Sequence, residues 1–114
     1  MTRGDGAAIS LTHGLNVQVE TQYGKVIDRV LDSENLLGPL LPRHDDEAFS
    51  CLRFVDWYGK TIFNRPQMPT VLAELQTIRA KAMNPKQEAL LDTIERLAHL
   101  ALVEPHRYLK FVGD

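Results

Sequence analysis

Three side chains with acid–base capacity stand beside apolar stretches: Asp56 closes CLRFVD, Asp114 closes YLKFVGD, and His106 lies just before the second stretch. Two carboxylates at one sheet edge can bind a cation or divide the roles of acid and base. Strands over the two stretches, running in the same direction, would bring Asp56 and Asp114 together. His106 would then be the third polar group of a ligand site between hairpin and helices. Against this, Asp56-Trp57-Tyr58-Gly59 has the Asp and the Gly that a type I turn prefers at its first and fourth positions. Asp114 ends the sequence, where order is least secure. The turn reading outweighs the site reading.

Other constellations are weaker. His44, Asp45, Asp46 and Glu47 are adjacent in sequence, and adjacent ligands converge on one metal only around a sharp turn; a solvated charge run is the default. Glu95 and His99 have the i, i+4 spacing of two ligands on a helix, which is equally that of a surface pair near a helix C-terminus. No metal and no cofactor is expected from these groups. Cys51 lies among apolar neighbours and reads as a buried thiol rather than a nucleophile, which needs a base and a positive surrounding. Gly24, Gly38 and Gly59 are isolated, so no phosphate-cradling loop is present, nor is any G-x-S-x-G, H-E-x-x-H or paired C-x-x-C motif. These absences lower an enzymatic reading without removing it.

Two large aromatics in a turn, Trp57 and Tyr58, depart from the small polar residues that turns favour. They either fold back over the first helix as a lid on the core or project outward as anchors for a partner, with Lys60 and Arg65 as a basic border. Leu100 and Val103 fall outside the main apolar stripe of their helix, and a helix apolar on two sides is often covered twice, by its own chain or by a second copy. Arg53 and Lys110, with Cys51, Val55, Tyr108 and Val112, would share the sheet face away from the helices. One aromatic and two cations there resemble a small single-stranded nucleic-acid platform, but such sheets stack bases on two or more aromatics. Nucleic-acid binding is therefore the third-ranked reading.

These residues are positioned by a pattern that predicts an α+β domain: a small, mainly antiparallel sheet with a helical hairpin packed on one face. LNVQVET alternates as a half-buried strand. Residues 24–32 place Val26, Ile27, Val30 and Leu31 at helical spacing, although their β-branched content also suits the second strand of a hairpin; the spacing tips the reading toward helix. Residues 34–37 allow a short helical turn before Gly38, Pro39 and Pro42 open a charged loop. Alternation over 51–55 and 61–64 predicts a β-hairpin over about 50–64. Helical periodicity follows over about 69–83 and 85–104, with Asn84 as N-cap, Pro85 at the first helical position and Gln87 at the third. A final strand is expected over about 107–112. Residues 1–13 are read as a frayed tail, and the Arg3-Gly4-Asp5 tripeptide within it as a chance match. Residues 14–114 are read as one domain. The echo of Leu-Arg-Phe-Val in Leu-Lys-Phe-Val then means two strands laying the same side chains, Leu52 with Phe54 and Leu109 with Phe111, under the same helices.

Composition narrows the function. The chain has 114 residues, 44% hydrophobic and 25% charged, as in an ordinary globular domain. A net charge of −2 gives no general attraction to nucleic acid or anionic membrane. A single cysteine forms no internal disulfide and points to the reducing cytoplasm, and no signal-peptide pattern opens the sequence. The expectation is a small intracellular, non-catalytic module that binds another protein or itself through Trp57, Tyr58, Lys60 and Arg65, or through Leu100 and Val103. An adaptor, an assembly subunit or a neutralising partner would each fit. The alternatives are a ligand site at Asp56, His106 and Asp114, and nucleic-acid binding at Arg53 and Lys110.

Overall fold

A computed structural model of the chain describes residues 14–113. The N-terminal tail and its Arg-Gly-Asp tripeptide, and Asp114, lie outside the described residues. Strand β1 (Asn16–Thr21) turns through Gly24, which has a φ of +84°, into β2 (Val26–Leu31). A loop follows, with single 3-10 turns at Gly38–Leu40 and Leu52–Phe54. It leads to β3 (Lys60–Asn64), a 3-10 turn at Arg65–Gln67, helix α1 (Met68–Arg79), helix α2 (Pro85–Val103) and β4 (Arg107–Val112). The sheet order is β2-β1-β4-β3, and all three pairings are antiparallel. The expected α+β architecture is present, with both helices packed against one face of the sheet.

Register assigns the faces. On the helix side, Val30, Val17, Phe111 and Thr61 form one row across the sheet, and Asp28, Val19, Leu109 and Phe63 the next. Val17, Val19, Leu109 and Phe111 are fully buried, and the Phe63 and Phe111 rings meet edge to face at 5.8 Å. Helix α2 lies over β1, β2 and β4, burying Leu91, Ile94, Leu97, Ala98 and Ala101, while α1 packs on α2 through Val71, Leu75 and Ile78. Asn84 caps α2 by accepting the Gln87 amide, as its sequence context predicts; the Gln87 side chain reaches the Met83 amide instead of the cap residue. Asn64 and Gln67 form a reciprocal capping box where β3 hands over to the helices.

Two expectations are corrected. Residues 24–32 hold no helix: Val26–Leu31 is a strand, because Val17 and Val19 on β1 offer a ladder that a free amphipathic helix would leave unpaired. A bulge between Val19 and Glu20 leaves Ile27 without a cross-strand partner, and this broke the alternation that would have identified the strand. Residues 51–55 also form no strand. Leu52 and Val55, one helical turn apart, are buried, whereas Phe54 is exposed. The cause lies on α1. The buried Glu74 carboxylate accepts the Leu52 amide at 2.8 Å, the Cys51 amide at 3.2 Å and the Ser50 hydroxyl at 3.2 Å. That set of acceptors curls the segment into a turn and satisfies the amides a sheet would otherwise pair. The echo of Leu-basic-Phe-Val is therefore one strand and one 3-10 turn, and of its two inward pairs only Leu52 matches its counterpart in burial, since Phe54 is exposed where Phe111 is buried.

Candidate functional site

The side of the sheet away from the helices carries three rows: Leu31, Asn16, Val112 and Lys60; Arg29, Gln18, Lys110 and Ile62; Val26, Glu20, Tyr108 and Asn64. Its centre is polar and internally satisfied. Lys110 Nζ sits 3.2 Å from Glu20, and Gln18 donates to the same carboxylate. Side chains around this pair shield it, leaving Lys110 and Glu20 only 16% and 13% exposed. Apolar residues surround the polar centre: Ile62 is 56% exposed and Leu31 55%, with Val112 and Tyr108 half-buried. The β1–β2 turn closes one end, so that Gln22, Gly24, Ile62 and Tyr108 wall a depression of about 260 Å³ floored by Lys110 and Glu20. That volume lies below the roughly 300 to 1,000 Å³ of small-molecule sites and suits a single inserted side chain.

A cleft of about 410 Å³ adjoins it round the same turn, between Tyr23, Lys25 and Ile27 on one side and Pro105, His106 and Arg107 on the other. His106 stands here with a φ of +61°, following Pro105 in the pairing that type II turns use. Asp56 is at the opposite end of β4, about 20 Å away at the rise of an extended strand. The structure thus keeps His106 and Asp56 apart. Asp56 accepts the Tyr58 amide and donates its own to Thr61 Oγ1, closing the turn in which Gly59 bonds back to the Asp56 carbonyl. The strand that leads to Asp114 does reach this turn. Gly113 donates to the Gly59 carbonyl at 2.7 Å, and a side chain at Gly113 would lie 2.0 Å from the Trp57 carbonyl oxygen.

The other sequence candidates separate in the same way. Trp57 folds back onto the 3-10 turn at Gly38, where a methyl group would lie 2.5 Å from its ring. Tyr58, 77% exposed, projects outward, and Lys60 is exposed beside it. Arg65, at the far end of β3, donates from Nε to the Leu102 carbonyl, while Arg107 donates to that of Leu100. The two arginines serve the unpaired carbonyls at the α2 C-terminus, where positive charge is favoured. Val103 is exposed there and Leu100 half-buried. The proposed contact residues therefore form two patches, one at each end of β3.

Arg53 does not join Lys110 on a sheet face. It lies in the loop, 4.4 Å over the Phe54 ring and bonded to the His44 carbonyl, far from the ion pair that engages Lys110. Cys51 is buried; burial first, then the nearby Glu74 charge, pushes its thiol up, away from the reactive thiolate. Glu95 is engaged by Arg79 and Gln76, leaving His99 without it, and no three potential metal ligands cluster among the described residues. No described helix is long and apolar enough to cross a membrane.

Sequence reasoning missed the sheet-face residues Leu31, Ile62 and Tyr108 as a group. Ile62 carried a signal, an apolar residue in the outward phase of a strand whose inward residue is Phe63. Leu31 carried none once its segment was read as helix. Comparison with protein-family models, with curated proteins and with solved structures finds no match for this chain.

Proposed function

We propose that the chain is a non-catalytic, cytoplasmic protein-interaction module that docks its partner on the helix-free face of the sheet. The observation that carries this is the pair of exposed β-sheet apolar residues, Ile62 and Leu31, flanking a charge pair that already satisfies itself. Covering the centre of such a face removes apolar surface from water and leaves no new unpaired charge, so burial there is favourable. Arg29 and Lys60 at the margins supply the polar rim of an ordinary interface. The reducing cytoplasm is supported by the one buried, unpaired cysteine.

The test is capture from an extract of the source cells with the chain and with its Leu31→Ser/Tyr108→Ser variant. Candidates are identified by mass spectrometry, purified and titrated. A partner whose affinity falls at least tenfold in the variant, and which is unaffected by Tyr58→Ser at the aromatic turn, supports the face. A partner lost with Tyr58→Ser and retained by the sheet-face variant moves the interface to the turn.

A further inference from the structure

We infer that the module works as a pair, a second copy of the chain joining antiparallel at the free edge of β3 about a two-fold axis through Ile62. This rests on the reading above, because the union extends the same helix-free face from four strands to eight.

The two edges of the sheet differ. At β2, the strand pairing is bulged and Ile27 is left out of register, a device that hinders strand addition. At β3 the pairing with β4 runs without interruption from Lys60 to Asn64. Gly113 donates to Gly59, so the bonded pairs are those of Gly59, Thr61 and Phe63, and the backbone groups of Lys60, Ile62 and Asn64 point away from the sheet. The Asn64 amide confirms the phase, since it is taken by the Gln67 side chain rather than by β4. Lys60 and Ile62 are left with outward amides and carbonyls on an edge whose central side chain is apolar, β-branched and 56% exposed.

A strand from another protein would fit the hydrogen bonds equally, but the side chains fit a second copy. Centred on Ile62, the two strands overlap over all five residues. Ile62 then faces itself, each Lys60 amide faces the Asn64 carbonyl of the other copy, whose own amide stays with Gln67, and Thr61 faces Phe63 on the helix side. Centring on Lys60 would set two like charges opposite each other, which destabilises a cross-strand pair. Centring on Asn64 would bring Pro66 opposite Ile62, and Pro66 has no amide to give. The register centred on Ile62 is the longest and sets no like charges opposite each other, and two-fold symmetry makes each favourable contact occur twice.

Light scattering on the full chain across a concentration series is expected to give twice the chain mass. Ile62→Lys, which sets two lysines across the axis, should weaken the dimer at least tenfold while the circular dichroism is unchanged. In a bonded antiparallel pair the facing Cα atoms are about 5.5 Å apart, inside the range that a disulfide spans. Ile62→Cys should therefore cross-link under mild oxidation, and Tyr58→Cys, well off the axis, should not. A monomer at every concentration, a dimer indifferent to Ile62→Lys, or a dimer that Ile62→Cys fails to cross-link each overturns the pairing. A monomeric chain whose purified partner is still lost with Leu31→Ser/Tyr108→Ser overturns the pairing alone and leaves the docking face standing.

Discussion

The carboxylate of Glu74, on the helix, accepts the amide of Leu52, in the loop, across 22 residues of sequence and 2.8 Å of space. It does the same for Cys51, so one buried charge fixes the path of the chain from the long loop into β3. Glu74→Ala leaves two buried amides without acceptors and should cost about 2–4 kcal/mol. Glu74→Gln retains a carbonyl acceptor and should cost less. Urea unfolding of both variants checks the order; equal stabilities for Ala and wild type would remove Glu74 from this role.

Gly38 and Trp57 form a second tie within the loop region. A methyl group at Gly38 would meet the indole at 2.5 Å. Gly38→Ala should destabilise the fold by about 1–2 kcal/mol, as overpacking does. It should also shift the emission of the only tryptophan to the red as the ring moves toward water. An unaltered spectrum at unaltered stability would show that the ring does not rest there.

Acid sensitivity has a named contributor. The Arg96 guanidinium, 2.7 Å from Asp28, holds its carboxyl below the usual carboxylate range, and the Arg29 amide adds to this. A depressed folded-state value means that the pair stabilises the fold above the unfolded pKa of about 3.9 and ceases to do so as pH falls through the lower value. The gap in melting temperature between wild type and Arg96→Gln should therefore be widest near neutrality and close in acid. A gap that stays constant down to about pH 2 would place its origin outside this titration.

His106 occupies left-handed backbone that glycine adopts without strain. His106→Gly should be stabilising by about 0.5–1 kcal/mol and His106→Val destabilising by more than about 1 kcal/mol. Thermal unfolding of the two variants decides; if both lower the melting temperature alike, the ring itself holds the turn.

The helical hairpin and the first and last described strands were legible because each is decided locally. The spacing of Val71, Leu75 and Ile78, the cap at Asn84 and the alternation of Leu109 with Phe111 all survive any tertiary context. The misread segments are those decided from a distance. Val26–Leu31 is a strand because β1 pairs with it, and its own spacing carries an extra residue at the bulge. Leu52–Phe54 is a turn because of a glutamate on α1. A trace of that was present in the sequence, since Glu74 falls at a core-facing position of the stripe formed by Val71, Leu75 and Ile78. The proposed docking face was hidden for a related reason: its rows mix residues from four strands, and their adjacency exists only after β1 and β4 have met.

Among the described residues, the first strand and the last are the two middle strands, with Val17 opposite Phe111. During synthesis, then, the sheet lacks one of its two central strands until β4 has left the ribosome. Until then the β1–β2 hairpin and the helix pair each carry an apolar face with nothing to cover it. Nascent chains would need shielding by a chaperone until β4 has emerged, and a stop shortly before β4 would yield an aggregation-prone fragment rather than a smaller working domain.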